Sequence, residues 1–129
     1  MSVDVLVVDD DPINIALHTA LVRKLGYRAI GFIDPNEALV WCGSNTPDLL
    51  ITDYMMPGGM NGVELIRQFR NLGSRSEVPI IMITATSHSQ IRVDANSVGV
   101  SYLFNKPLKV MEFMDCVSQI LSVYPKADV

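Results

Sequence analysis

Five short apolar runs punctuate the chain: Val5-Leu6-Val7-Val8, the more polar Tyr27-Arg28-Ala29-Ile30-Gly31-Phe32, Leu49-Leu50-Ile51-Thr52, Val78-Pro79-Ile80-Ile81-Met82-Ile83, and residues 100–104. The first, third and fourth are apolar at successive positions, which is the signature of strands buried on both faces of a parallel sheet. The second is polar enough for a sheet edge. Between the runs the spacing becomes helical. Ile13, Leu17, Leu21 and Leu25 mark one predicted face, Ala38, Leu39, Trp41 and Cys42 a second, and Val63, Ile66 and Phe69 a third. Residues 87–98 form a weaker helix rich in Ser and Asn, and Val110, Phe113, Val117, Ile120 and Leu121 line a last one.

Local signals divide these segments. Asp11-Pro12 and Asp34-Pro35 suit helix starts, with Asp as N-cap and Pro in the first turn. Gly26, Gly73 and Gly99 suit helix ends, Asn45-Thr46-Pro47 breaks the second helix, and Lys106-Pro107 ends the fifth strand. Strictly alternating strands and helices predict an α/β fold, a single (βα)5 doubly wound parallel sheet with helices on both faces.

Parallel strands bring their C-terminal residues to one edge, where ligands and chemistry collect in such sheets. That edge would carry Asp9 and Asp10 from the first strand, Asp53 from the third, Thr84 from the fourth and Lys106 from the fifth. Asp53 is the centre of the group, a carboxylate closing a predominantly apolar strand. Three carboxylates crowded in a cleft repel one another and favour an incoming cation. With no His or Cys nearby, an all-oxygen site fits Mg²⁺ better than zinc. A hydroxyl and an ammonium at neighbouring strand ends suit a phosphoryl group.

Composition narrows the picture. A chain of 129 residues with 49% hydrophobic content is expected to be one domain with a full core. No apolar run approaches the roughly 20 residues of a membrane span. Asp4 and Asp9-Asp10-Asp11 stand where a signal peptide would be apolar. Cys42 and Cys116 fall on separate helices among apolar neighbours, which predicts buried free thiols in a reducing cytoplasm. The formal net charge of −4, without a Lys/Arg cluster, argues against nucleic acid as a direct partner. The glycines at 58, 59 and 62 lack a following Lys-Ser/Thr pair and read as a flexible turn, while Met55, Met56 and Met60 read as loop packing. His18 and His88 lack partners at ligand spacing.

The elements VVDDDP, LLITDYMMP, IIMITA and NKP, in this order and spacing, resemble the receiver domain of two-component response regulators, over essentially the whole chain. The resemblance implies a flavodoxin-like strand order 2-1-3-4-5, with residues 1–123 as the receiver and 124–129 as the start of a linker or tail. It implies that Asp53 accepts phosphate from the phosphohistidine of a sensor histidine kinase or phosphotransfer protein. Asp9 and Asp10 match the acidic metal-binding pair, and Met55 matches the residue whose backbone carbonyl completes a Mg²⁺ site that Mn²⁺ can also fill. Thr84 and Lys106 match the groups that bind the phosphoryl oxygens. The expected activity is stoichiometric self-phosphorylation and autodephosphorylation rather than turnover. The expected partners are an output domain beyond Val129 or a separate effector, with a phosphorylation-linked homodimer as a further arrangement.

The sequence departs from the family pattern in two places. The loop Met56-Pro57-Gly58-Gly59-Met60-Asn61-Gly62 is one glycine longer than usual, which leaves the start of the third helix open. Leu103 holds the place of the family's switch aromatic, with Tyr102 one position early. Two rival readings have sequence support. A haloacid-dehalogenase-like phosphatase would use Asp9 and Asp11 after the first strand, with Thr84 and Lys106 in its next motifs, but lacks a later acidic strand end and room for a cap. A flavodoxin-like cofactor binder would need a less acidic rim.

Overall fold

In the computed structural model, residues 3–56, 59–73, 77–86 and 88–122 are described. The strands are β1 (Asp4–Val8), β2 (Arg28–Phe32), β3 (Leu49–Asp53), β4 (Ile80–Thr84) and β5 (Tyr102–Asn105). The helices are α1 (Pro12–Lys24), α2 (Pro35–Cys42), α3 (Gly62–Arg70), α4 (Ser89–Ser97) and α5 (Val110–Ser122). All strand pairs are parallel and the order is β2-β1-β3-β4-β5. Every residue of β3 and β4 is buried, whereas the edge strands β2 and β5 are partly open. The continuous apolar runs are thus the strands with neighbours on both sides and helices on both faces.

Alternation along the strands feeds two cores. Leu6, Val8, Leu50, Ile80 and Met82 pack with Ala38, Ile66, Phe69 and Ala95 on the α2, α3 and α4 side. Val5, Val7, Leu49, Ile51, Ile81 and Ile83 pack with Val22, Phe113 and Val117 on the α1 and α5 side. Each fully buried Leu, Ile or Val side chain contributes about 1.5–3 kcal/mol, so these strand interiors dominate the stability of the sheet.

The helix starts follow the local signals. Asp11 accepts from the Ile13 N–H at 2.9 Å, Asp34 from the Asn36 N–H at 2.8 Å, and Asn61 from the Glu64 N–H at 2.9 Å. The expected apolar face of α1 is corrected. Ile13 is 76% exposed and Leu17 43% exposed, while His18, Thr19 and Val22 are buried. The cause lies on β2, where a Cβ at Gly31 would stand 2.7 Å from Ile15 Cγ2 and 3.4 Å from Thr19 Cγ2. The helix seats its Ile15–Thr19 side against that bare backbone, which rotates Ile13 outward. On α5 the buried residues are Phe113, Cys116, Val117 and Leu121, and Val110 is exposed.

The longer loop after β3 leaves α3 well defined. Asn61 caps the helix and Gly62 is its first residue. Gly62 is not merely a flexible turn: its N–H donates to the Tyr54 carbonyl at 2.8 Å, and a Cβ there would collide with the Asp53 backbone carbonyl. Gly62→Ala is expected to lower stability by about 1–3 kcal/mol, as overpacking does. Thermal unfolding checks this. Residues 57–58, the 74–76 part of the polar connection, residue 87 and the 123–129 tail lie outside the described residues.

Candidate phosphoacceptor site

The sheet delivers the expected residues to its C-terminal edge. Asp53 is the last residue of β3, opposite Ile83 of β4, and the Tyr54 N–H bonds the Ile83 carbonyl at 2.9 Å. Asp9 follows β1, its N–H held by the Phe32 carbonyl at 3.2 Å and its Oδ1 accepting from the Asp11 N–H at 2.9 Å. Lys106 leaves β5 with its N–H on the Thr84 carbonyl at 2.8 Å, and the Lys106–Pro107 peptide bond is cis.

Carboxylate oxygens of Asp9, Asp10 and Asp53 lie within 4.8 Å of one another. Lys106 Nζ donates to Asp53 Oδ2 at 3.2 Å and stands 3.8 Å from Asp9 Oδ2. Asp9 is 1% exposed and Asp53 6%, and Asp10 is the most open of the three. Burial pushes the Asp9 carboxyl up to about 6, against the Asp11 N–H, with Asp53 adding to the rise. Burial also raises the Asp53 pKa, and the Lys106 charge and hydrogen bond oppose it. One ammonium does not neutralise three carboxylates, and a like-charge pair at this range repels by roughly 3–4 kcal/mol.

The buried Asp9 Oδ2 and Asp53 Oδ1 have no hydrogen-bond partner among the described residues. Such atoms are costly unless something binds them. Three converging carboxylates with orphaned oxygens fit a hard divalent cation such as Mg²⁺. Met55 lies two residues beyond Asp53 and is 58% exposed. Its thioether therefore does not pack in the loop as expected, although Met56 is buried and Met60 packs against the same core.

Thr84 is 1% exposed, and its hydroxyl is occupied within its own loop. It donates to the Thr86 carbonyl at 3.1 Å and accepts from the Thr86 N–H at 3.2 Å. Thr86 is a partner that strand-end reasoning does not reveal. Leu103 packs in the α2, α3 and α4 core and Phe104 in the opposite one. Alternation puts Tyr102 on the Phe104 side, where it is 48% exposed. His18 is buried against Phe113, with ring centroids 5.8 Å apart. Burial, and secondarily the Lys106 charge, lowers its pKa to about 4, so it is a neutral core residue.

Asp11 does not join the cluster. It is exposed, and its carboxylate serves as the α1 cap, so the acid required by the phosphatase reading is engaged elsewhere.

An open sheet of this order, with a buried carboxylate, acidic neighbours, a lysine and a hydroxyl at its C-terminal edge, is the architecture of a receiver-type phosphoacceptor. The chain belongs to the response regulator receiver domain family, whose pattern it matches over residues 5–118. It is 31% identical over 130 residues to the cyclic di-GMP phosphodiesterase response regulator RpfG of Xanthomonas campestris, covering 99% of this chain and 34% of that protein. It is 37% identical over 117 residues to the response regulator MprA of Mycobacterium ulcerans, covering 88% of this chain and 48% of that one. Among solved structures, the receiver domain of the sensor histidine kinase PA1611 of Pseudomonas aeruginosa, with a magnesium ion in its active-site cleft, superposes with a TM-score of 0.82 at 25% identity. That match covers 95% of this chain and 99% of the other. The chain spans about a third of RpfG and about half of MprA. No helix among the described residues is long and apolar enough to cross a membrane.

Proposed function

We propose that this receiver works through Asp53, whose carboxylate takes a phosphoryl group from the phosphohistidine of a sensor kinase or phosphotransfer protein. The carrying observation is the buried Asp53 carboxylate, hydrogen-bonded to Lys106 and crowded by Asp9 and Asp10. A carboxylate oxygen of Asp53 attacks phosphorus in line. The new O–P bond forms as the P–N bond breaks, and the imidazole leaves with the electron pair. Lys106 holds the carboxylate and meets the negative oxygens of the transferring group. Thr84 gives up its Thr86 bonds and turns its hydroxyl to the attached phosphoryl group.

Asp9, Asp10, Asp53 and the Met55 backbone carbonyl would hold Mg²⁺, or Mn²⁺ in its place, which supplies charge neutralisation at the phosphoryl oxygens. Small phosphodonors serve as alternative substrates, and the same site returns the phosphate to water, without conventional turnover. The longer relatives support an output domain or separate effector as the reader of the phosphorylated state, with a phosphorylation-linked homodimer as a further form. The receiver proper spans residues 1–123, the remainder being a linker or tail, and works in the cytoplasm.

A stoichiometric beryllofluoride adduct that needs both Mg²⁺ and Asp53 tests the reading, and its absence overturns it. Lys106→Ala is expected to keep or tighten Mg²⁺ affinity, because a nearby positive charge goes, while phosphorylation slows by about 100-fold or more. Calorimetry and phosphate-affinity gels check both arms, and wild-type rates would reduce Lys106 to a structural counter-ion.

The switch is expected to run through Thr84 rather than position 103. Leu103 has no hydroxyl to exchange and fills less volume than an aromatic. Leu103→Ala should cost about 1–2 kcal/mol of stability and leave the phosphorylation-linked shift of α4 intact. Thr84→Ala should weaken that shift strongly. Amide NMR with and without beryllofluoride decides, and loss of the shift in Leu103→Ala alone would assign the aromatic's job to leucine.

A further inference from the structure

Arg70, the last residue of α3, reaches two other parts of the fold. Its Nη1 donates to the Val78 carbonyl at 2.8 Å, just before β4. At the exit of α4, Nε donates to the Val98 carbonyl at 3.2 Å and Nη2 to the Gly99 carbonyl at 3.0 Å. Gly99 has φ 79°, and a Cβ there would stand 3.2 Å from Nη2, so the guanidinium seats directly on the turn. The planar fork suits this arrangement, because its donors are fixed relative to one another.

The two ends of α4 are held very differently. At the exit, the Val98 and Val100 N–H groups bond the Ala95 carbonyl at 3.3 and 3.1 Å, and the Gly99 N–H bonds Asn96 at 3.2 Å. A glycine at positive φ satisfies the last carbonyls in this way, and Arg70 adds its bonds from outside. At the entrance, His88 supplies no side-chain cap, and the first turn has no acidic residue. Only Ile91 and Ala95 of the helix are buried. The entrance is also the end nearer the site in sequence, since the Thr84 hydroxyl is bonded to the Thr86 backbone two residues before His88. A hydroxyl that leaves Thr86 for a phosphoryl group therefore frees the Thr86 backbone, on the sequence approach to the weakly held end.

We infer that Arg70 is the pivot of α4: it fastens the helix exit to α3 and to the approach of β4, so phosphorylation swings the entrance about a fixed exit. This rests on the receiver reading above. Arg70 is a positioning residue that acts through α4 and touches none of the reacting atoms. A helix shifted as a rigid whole would have to break the guanidinium bonds to the Val98 and Gly99 carbonyls, whereas a swing keeps them.

The test uses the full chain carrying Cys42→Ala and Cys116→Ala, with one spin label at exposed Glu37 and a second at exposed Gln90 or Asn96. Distances are measured without and with Mg²⁺ and beryllofluoride, and fluorine NMR reports whether the site is loaded. The Glu37–Gln90 distance is expected to change by on the order of 1–2 Å, typical of helix shifts, while Glu37–Asn96 stays put. Arg70→Gln should set Asn96 moving by a comparable amount, and Arg70→Lys, a point donor of the same charge, should fall between. Equal displacement of both labels in the otherwise wild-type chain overturns the pivot, as does a stationary Asn96 in Arg70→Gln. Should Arg70→Gln fail to fold, the wild-type gradient decides by itself. Absence of bound fluoride signals overturns the receiver reading and the pivot with it, whereas a loaded site with a uniform shift overturns the pivot alone.

Discussion

Incubated with Mg²⁺ and acetyl phosphate, the protein is expected to gain one acid-stable, hydroxylamine-labile phosphate on Asp53, and Asp53→Asn to gain none. The amide keeps the shape of the carboxylate but is a far poorer nucleophile, so the loss should be complete within detection. The neighbours sharpen the expectation. Asp53 Oδ2 is oriented by Lys106 at 3.2 Å, whereas Asp9 is 1% exposed and its Oδ1 is committed to the Asp11 N–H. Asp11 is committed as a helix cap. Intact-mass and peptide mapping before and after hydroxylamine provide the readout. A phosphate mapped to Asp9 would overturn the assignment and revive the phosphatase chemistry.

The second large effect concerns stability in the absence of metal. Asp9→Asn is expected to stabilise the metal-free protein at neutral pH. The Asp9 carboxyl is raised from 3.8 to about 6 in the folded chain, chiefly by burial. A group raised on folding contributes stability that is fully present below about 3.8 and lost as pH rises through about 6. Above that, its buried charge costs on the order of 2–3 kcal/mol, which the neutral amide removes while Oδ1 still accepts from the Asp11 N–H.

His18 works in the opposite direction. Its pKa is lowered to about 4, so its share of stability is present above 6.5 and lost as pH falls toward 4. The difference between wild type and Asp9→Asn isolates the aspartate, because His18 is common to both. Mg²⁺ should raise the wild-type melting temperature and do much less for the variant, through preferential binding to the folded state. Urea unfolding from pH 5 to 8 checks the sign. A variant less stable than wild type at pH 8 without metal would show that the Asp9 charge is already neutralised by its surroundings.

The site was legible because strand ends are local events. An apolar run that stops on Asp9, Asp53 or Thr84 announces both the strand and the residue at its rim, and parallel topology gathers the rims. The caps at Asp11 and Asp34 were legible for the same reason, since each bonds an amide two residues on. The rotation of α1 was not. Its Ile13–Leu17 stripe is as apolar as the face that is buried, and the choice is made by Gly31, a bare patch on another element. The reach of Arg70 to Val98 likewise joins residues far apart along the chain, and the close approach of Gly62 to the Asp53 backbone depends on how the intervening loop closes. The part played by Thr86 was not legible because its contribution is backbone, which any residue but proline would also supply.

The division of the interior into two cores has a practical consequence. Cys42 is buried on the α2, α3 and α4 side and Cys116 on the α1 and α5 side, so each half contains its own thiol. Burial holds the Cys116 thiol up at about 11, which keeps it unreactive while its surroundings stay closed. Labelling by a thiol reagent therefore times the breathing of each half separately, and comparing the two rates before and after phosphorylation gives an internal clock for which half loosens first.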